Sequence, residues 1–240
     1  MVDNQEALEQ IAAEVKQCDR CVLHLSRKKA VPGDGNAHAQ IMFIGEGPGF
    51  HENEQGLPFV GAAGKFLEEL LASINLRRED VFITNVVKCR PPSNRDPLPD
   101  ELAACDDYLE RQIHIINPKI IVTLGRYSMA KFLPNAKISV VHGKPKWVNG
   151  RLIVPMYHPA AALHQGSLKP QVEADFKRLP ELIAMAEHPP QPNKLESMPA
   201  SSATMLELPQ FSTLQAMKED LEPFEEKHSQ SDSATQLTLF

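Results

Sequence analysis

No apolar run in this chain is long enough to span a bilayer, and none of signal-peptide type opens it. A membrane or secreted protein is therefore not expected; a cytosolic one is. Cysteine is scarce, with four in 240 residues. In a cytosolic chain structural disulfides are rare, so these four point to metal binding or to chemistry. Basic charge is not in excess either, since the formal net charge is -6. That figure hides an asymmetry. Glu187 to Phe240 carries three Lys, no Arg and nine acidic residues, which leaves 22 of each sign in residues 1–186. The acidity thus says nothing against an anionic partner for the folded part. No internal repeat is present, and GAAGK (61–65) lacks the spacing and the following Ser/Thr of a Walker phosphate loop.

What is there is an alternation. Leu8, Ile11, Ala12 and Val15 recur at helical spacing over 4–17. Four short Ile- and Val-rich runs follow: IMFIG (41–45), VFITNVV (81–87), IIVTLG (120–125) and LIVPM (152–156). Helical patterns lie between and after them, near 61–75, 99–116, 125–132 and 170–186. This order predicts an α/β fold, a three-layer α/β/α sandwich around a central, mainly parallel four-stranded sheet. Ligands in such folds sit beyond the carboxyl ends of the strands. Residues 187–235 are rich in Pro, Ser, Gln and Glu and poor in aromatics, and read as a disordered acidic linker.

Chemistry-bearing residues gather at those strand ends. The first strand runs into GEGPG (45–49), where glycines let backbone N–H groups approach a ligand around Glu46. Phe59 stands in a polar, Gly- and Pro-rich loop, as a core plug or as a stacking platform for a planar ring. Asn85 ends an otherwise apolar strand; its amide bonds its own loop or reads a heterocycle, since it both donates and accepts. Lys88, Arg90 and Arg95 follow it. His158 stands before a proline just past the fourth strand. The cysteines are spaced Cys18-x2-Cys21, Cys89 and Cys105, so all four fit one tetrathiolate site tying the N-terminal helix to the sheet. Spacing alone leaves a zinc ion and a four-iron cluster equally open.

Taken together, the CxxC, GEGPG, GLPFVGAAG (56–64), TNVVKCRPP with NRDP (84–97), Cys105, the TLG turn (123–125) and YHPAAAL (157–163) resemble the family 4, iron–sulfur uracil-DNA glycosylases over about residues 10–186. The resemblance implies a [4Fe-4S] cluster on Cys18, Cys21, Cys89 and Cys105. It implies a monofunctional glycosylase of base excision repair that flips uracil out of DNA, hydrolyses its N-glycosidic bond and leaves an abasic site. Phe59 would stack on the base, Asn85 would read its edge and His158 would stabilise negative charge growing on O2. Glu52 would crowd the C5 position against thymine. Gly47 stands where the best-known branch carries a water-positioning Asp. That leaves Glu46 to support the sugar or the water, or to offer its backbone N–H. Leu163 would be the wedge filling the vacated stack. Lys88, Arg90 and Arg95 are expected on the DNA phosphates, with Arg27, Lys28, Lys29, Lys144, Lys146 and Lys169 as further candidates. The alternative is a non-catalytic or covalent uracil-DNA-binding module. A covalent branch carries a basic insertion ending in His after the second strand; KCRPPSNRDP has none, which favours turnover.

The last five residues, QLTLF, resemble the pentapeptide that binds the bacterial sliding clamp. Gln236 would be its polar anchor, and Leu237, Leu239 and Phe240 its apolar plugs, tethering the enzyme at DNA. This implies a bacterial source and a nucleoid-associated protein when it is on DNA.

Overall fold

A computed structural model of the chain describes residues 3–189. Residues 190–235 of the expected linker (187–235) and the QLTLF peptide lie outside the described residues. Six strands form one sheet among the described residues: β1 (Asp34–Gly35), β2 (Ile41–Gly45), β3 (Phe82–Asn85), β4 (Ile120–Leu124), β5 (Lys146–Val148) and β6 (Arg151–Met156). Their order is β1-β3-β2-β4-β6-β5. The inner four are parallel and coincide with the four runs read in the sequence. The four-stranded expectation is corrected by β1 and β5, short antiparallel edge strands. Two and three residues are too few to show an alternating pattern.

The helices are α1 (Asn4–Gln17), α2 (Phe50–Gln55), α3 (Ala62–Ala72), α4 (Pro99–Ile116), α5 (Arg126–Phe132), α6 (Ile138–Val141), α7 (Pro159–His164), α8 (Lys169–Lys177) and α9 (Leu179–Ala186). One helix was expected over 170–186. It is two, because Pro180 supplies no N–H and its ring would clash with the carbonyl four residues back. Alternate residues of each inner strand feed two cores. Ile41, Phe43, Ile83, Val122 and Val154 pack with Phe66, Leu67 and Leu70 of α3 and Val172 and Phe176 of α8. Met42, Ile44, Phe82, Ile121 and Ile153 pack with Leu8, Ile11 and Val15 of α1 and Leu109 and Ile113 of α4. Helices on both faces explain why the strands read as unbroken apolar runs. They also leave the carboxyl rim of β2, β3, β4 and β6 as the place for polar groups. No helix among the described residues is long and apolar enough to cross a membrane.

Candidate active site and cysteine cavity

Gly45 and Asn85 end β2 and β3 directly opposite each other. A Cβ at Gly45 would collide with Asn85 Oδ1 and stand 2.7 Å from Phe59 Cζ. The absent side chain thus marks a slot where carboxamide and phenyl ring meet. The Phe59 ring lies in turn against the His158 imidazole, with centroids 5.4 Å apart and planes 23° apart. Aromatic face, amide and imidazole therefore converge within reach of one small ring. Asn85 is buried, yet its Oδ1 has no hydrogen-bond partner among the described residues. An unpaired buried acceptor costs about 1–3 kcal/mol, which a ligand's N–H would recover.

His158 caps α7, and its Nδ1 accepts from the Ala160 amide at 3.1 Å. A ring nitrogen that accepts carries no proton, so the neutral ring holds its proton on Nε2. Burial pulls the His158 pKa down to about 4, against the opposing pull of Glu52. The imidazole is therefore a neutral donor at neutral pH.

Phe59 holds its ring in place from a left-handed backbone, φ 52°. That conformation in a non-glycine residue costs roughly 1–3 kcal/mol and persists only where the surroundings impose it. Arg78 donates from Nη1 to the Phe59 carbonyl at 3.0 Å and from Nη2 to the Pro58 carbonyl. Glu52 Oε1 accepts from the Val60 and Gly61 amides, each at 2.9 Å. Gly64 in α3 has no side chain to collide with the Phe59 carbonyl. The sequence reading missed Arg78, which nothing local links to a loop 19 residues away. The Glu52 carboxylate, expected to crowd the C5 position, braces the platform loop through these two amides.

Glu46 is held at the start of α5. Its Oε1 accepts from the Tyr127 amide at 3.1 Å, in the space left by Gly125 at the start of α5. Burial raises its pKa, against the amides of Tyr127 and Arg126. A Cβ on Gly47 would stand 2.9 Å from Val87 Cγ2, so Gly47 seats the loop on the exit of β3.

The family profile described as "Uracil DNA glycosylase superfamily" matches residues 32–179. The chain belongs to the uracil DNA glycosylase superfamily. A type-4 uracil-DNA glycosylase of Archaeoglobus fulgidus is 49% identical over 187 residues, spanning 74% of this chain and 94% of that protein. That of Sulfurisphaera tokodaii is 52% identical over 187 residues, 74% of this chain and 85% of its own. That of Thermotoga maritima is 47% identical over 170 residues, 70% and 88% respectively.

In this uracil DNA glycosylase superfamily member the charged residues expected on DNA divide. Lys88 is a correction. It is 1% exposed, and its Nζ donates to Thr84 Oγ1 at 2.6 Å, the Asn85 carbonyl at 2.9 Å and Gln112 Oε1 at 2.8 Å. Burial pulls its pKa down to about 7. It secures the backbone under Asn85 and cannot reach a phosphate. Arg95 forks onto the buried Glu101 carboxylate at 2.9 and 2.6 Å and so pins the start of α4, with its side chain 36% exposed. Arg27 is spent on the Cys18 and Lys16 carbonyls and on Cys89 Sγ at 3.4 Å, and Lys28 pairs with Glu54. Arg90 is partly exposed, and Leu163 on α7 is 48% exposed.

Cys18, Cys21, Cys89 and Cys105 line one small cavity between α1, α4 and the exit of β3. Burial pushes the thiols of Cys21, Cys89 and Cys105 up, the last to about 11. Four thiolates there require a cationic group among them. Among the described residues no three His, Cys, Asp or Glu side chains are grouped to hold a single metal ion.

Proposed function

We propose that this chain is a monofunctional uracil-DNA glycosylase. The observation that carries the reading is the buried, unpartnered Asn85 acceptor beside an aromatic face and a neutral imidazole. Uracil cannot be reached inside the stack and is extruded first. Phe59 receives its face. Asn85 Oδ1 accepts from N3–H, and its amide N–H donates to O4. Cytosine reverses both of those groups and would leave buried polar atoms facing like partners, which is the costly arrangement. His158 donates from Nε2 to O2. As the C1′–N1 bond breaks, its electron pair moves onto the base, and the hydrogen bond to O2 strengthens where that charge gathers. Water adds to C1′ and an abasic site remains. Glu46 enters as the anchor that fixes the GEGPG loop on α5, a positioning role.

Incubation with a uracil-containing oligonucleotide followed by alkali tests this. Strand breakage at the uracil is expected, and an intact strand with the wild-type protein overturns it.

We also propose that the four cysteines hold a [4Fe-4S] cluster, which would cross-link α1, the β3 exit and α4 and could carry one electron. The lining of one cavity by all four cysteines supports it. A lone zinc wants its sulfurs about 2.3 Å from one point. Purified protein is expected to be brown, with about four iron and four sulfide per chain. Cys105→Ser is expected to lose iron and to melt roughly 10 °C lower. Colourless protein with stoichiometric zinc overturns the assignment.

The proposal for QLTLF rests on the sequence alone: Gln236, Leu237, Leu239 and Phe240 dock on a bacterial sliding clamp. Deleting 236–240 is expected to abolish capture by immobilised clamp and to leave turnover on a short oligonucleotide unchanged. Equal loss in both assays refutes tethering.

A further inference from the structure

Phe50 opens α2 and leaves 54% of its surface in water. A single exposed aromatic is ordinary on a protein surface. This one is set apart by where it stands and by what braces it. The Arg90 guanidinium lies over its ring, 5.4 Å from the centroid. Arg90 is itself steered by Nε donating to Asn94 Oδ1 at 2.9 Å. The neighbouring His51 ring meets Phe50 edge-on, with centroids 5.4 Å apart and planes 83° apart.

The two partners stand on the two loops that leave the base slot. Phe50 follows the GEGPG loop out of β2, and Arg90 follows the segment out of β3. Those strands end in Gly45 and Asn85, which frame the slot. The loops stay side by side beyond it. The Val86 and Val87 amides donate to the Gly45 and Glu46 carbonyls at 3.0 and 3.2 Å. Gly47 packs on Val87 and Pro91. Phe50 and Arg90 therefore form one unit at the rim, a half-exposed aromatic ring with a fixed cation over it. The core gains little from a ring so exposed.

Extruding a base leaves its neighbours in the strand without a stacking partner. A π face offers one to any base, and an adjacent guanidinium adds attraction for the ring and for the phosphate that follows. We propose that Phe50, braced by Arg90, stacks on the nucleobase adjacent to the extruded uracil. The inference rests on the uracil-DNA reading above and extends it to the flanking nucleotide. Phe50 is a binding residue and takes no part in bond breaking.

The test uses the full chain and a single-stranded oligonucleotide with a tetrahydrofuran abasic residue in place of uracil, so that binding is read without chemistry. Phe50→Ala is expected to weaken binding roughly 5- to 100-fold, the range for losing one base–aromatic stack. Its melting temperature should stay unchanged, because the ring is exposed. Phe50→Trp should bind as well as wild type; Phe50→Leu, apolar without a π face, should behave as Phe50→Ala. Replacing one neighbouring base by a second tetrahydrofuran should weaken the wild type by the same factor and leave Phe50→Ala unaffected. Wild-type affinity in Phe50→Ala, or a loss that ignores which neighbouring base is missing, overturns the proposal. Failure of the wild type to cut uracil-containing DNA overturns the glycosylase reading instead, so the two failures are distinct.

Discussion

Gly45→Ala is expected to cut kcat/KM for uracil excision by about 100-fold or more while the protein still folds. One methyl group suffices because of where it goes. Gly45 does not occupy the left-handed region, so alanine meets no backbone penalty. Its Cβ would collide with Asn85 Oδ1 and stand 2.7 and 2.8 Å from Phe59 Cζ and Cε2. Either Asn85 rotates away from its reading position or Phe59 leaves its own. A displacement of about 1 Å at a reacting centre costs on the order of 100-fold. The stability loss is that of overpacking, about 1–3 kcal/mol, which lowers the melting point by several degrees. Steady-state kinetics on a uracil oligonucleotide, with a thermal melt beside them, check both. A variant retaining half of wild-type activity would mean that the base does not bind between Gly45, Phe59 and Asn85.

The inner sheet was legible because parallel strands covered on both faces must be apolar throughout, and IMFIG and IIVTL have no other reading at that length. The ends of α4 were legible too. Pro99 starts it, Glu101 accepts from the Leu98 amide at 2.8 Å, and Asn117 closes it in a left-handed turn, φ 48°. The short helices α2 and α7 carry too few residues for a period to show. At the slot, Asn85 and His158 stood out because each interrupts apolar sequence at a strand's end. Their meeting with Phe59 depended on Arg78 and Gly64, whose parts are set by tertiary contacts alone. The error over Lys88 is instructive. Beside Arg90 and Arg95 it reads as one of a solvated basic cluster. Its neighbours Val86, Val87 and Cys89 continue the apolar run, and that was the available sign that the ammonium is buried on Thr84 and Gln112.

His158→Ala is expected to lower kcat about 100- to 1000-fold with little change in KM, the cost of removing one donor aimed at developing charge. His158→Gln, which can still present an N–H, should recover part of that loss. The pH dependence separates a neutral imidazole from an imidazolium. With Nδ1 accepting from Ala160, protonating the ring would set two N–H groups against each other, and burial adds to that cost. The pKa of about 4 stands below the ordinary 6.5. The active neutral form therefore persists down to about pH 4, and wild-type kcat should fall only as pH drops through that value. Residual activity of His158→Ala should lack this limb. Stability follows the same sign. Between 6.5 and about 4 the unfolded chain takes up the proton and the folded one does not. The contribution of this group is therefore fully present above pH 6.5 and is lost as pH falls toward 4. The melting temperature of wild type should drop more steeply over that window than that of His158→Gln. An acid limb near 6.5 in the wild type, absent from the variants, would show that the proton-loaded ring fails far earlier than this geometry allows, and the neutral-donor account would fall with it.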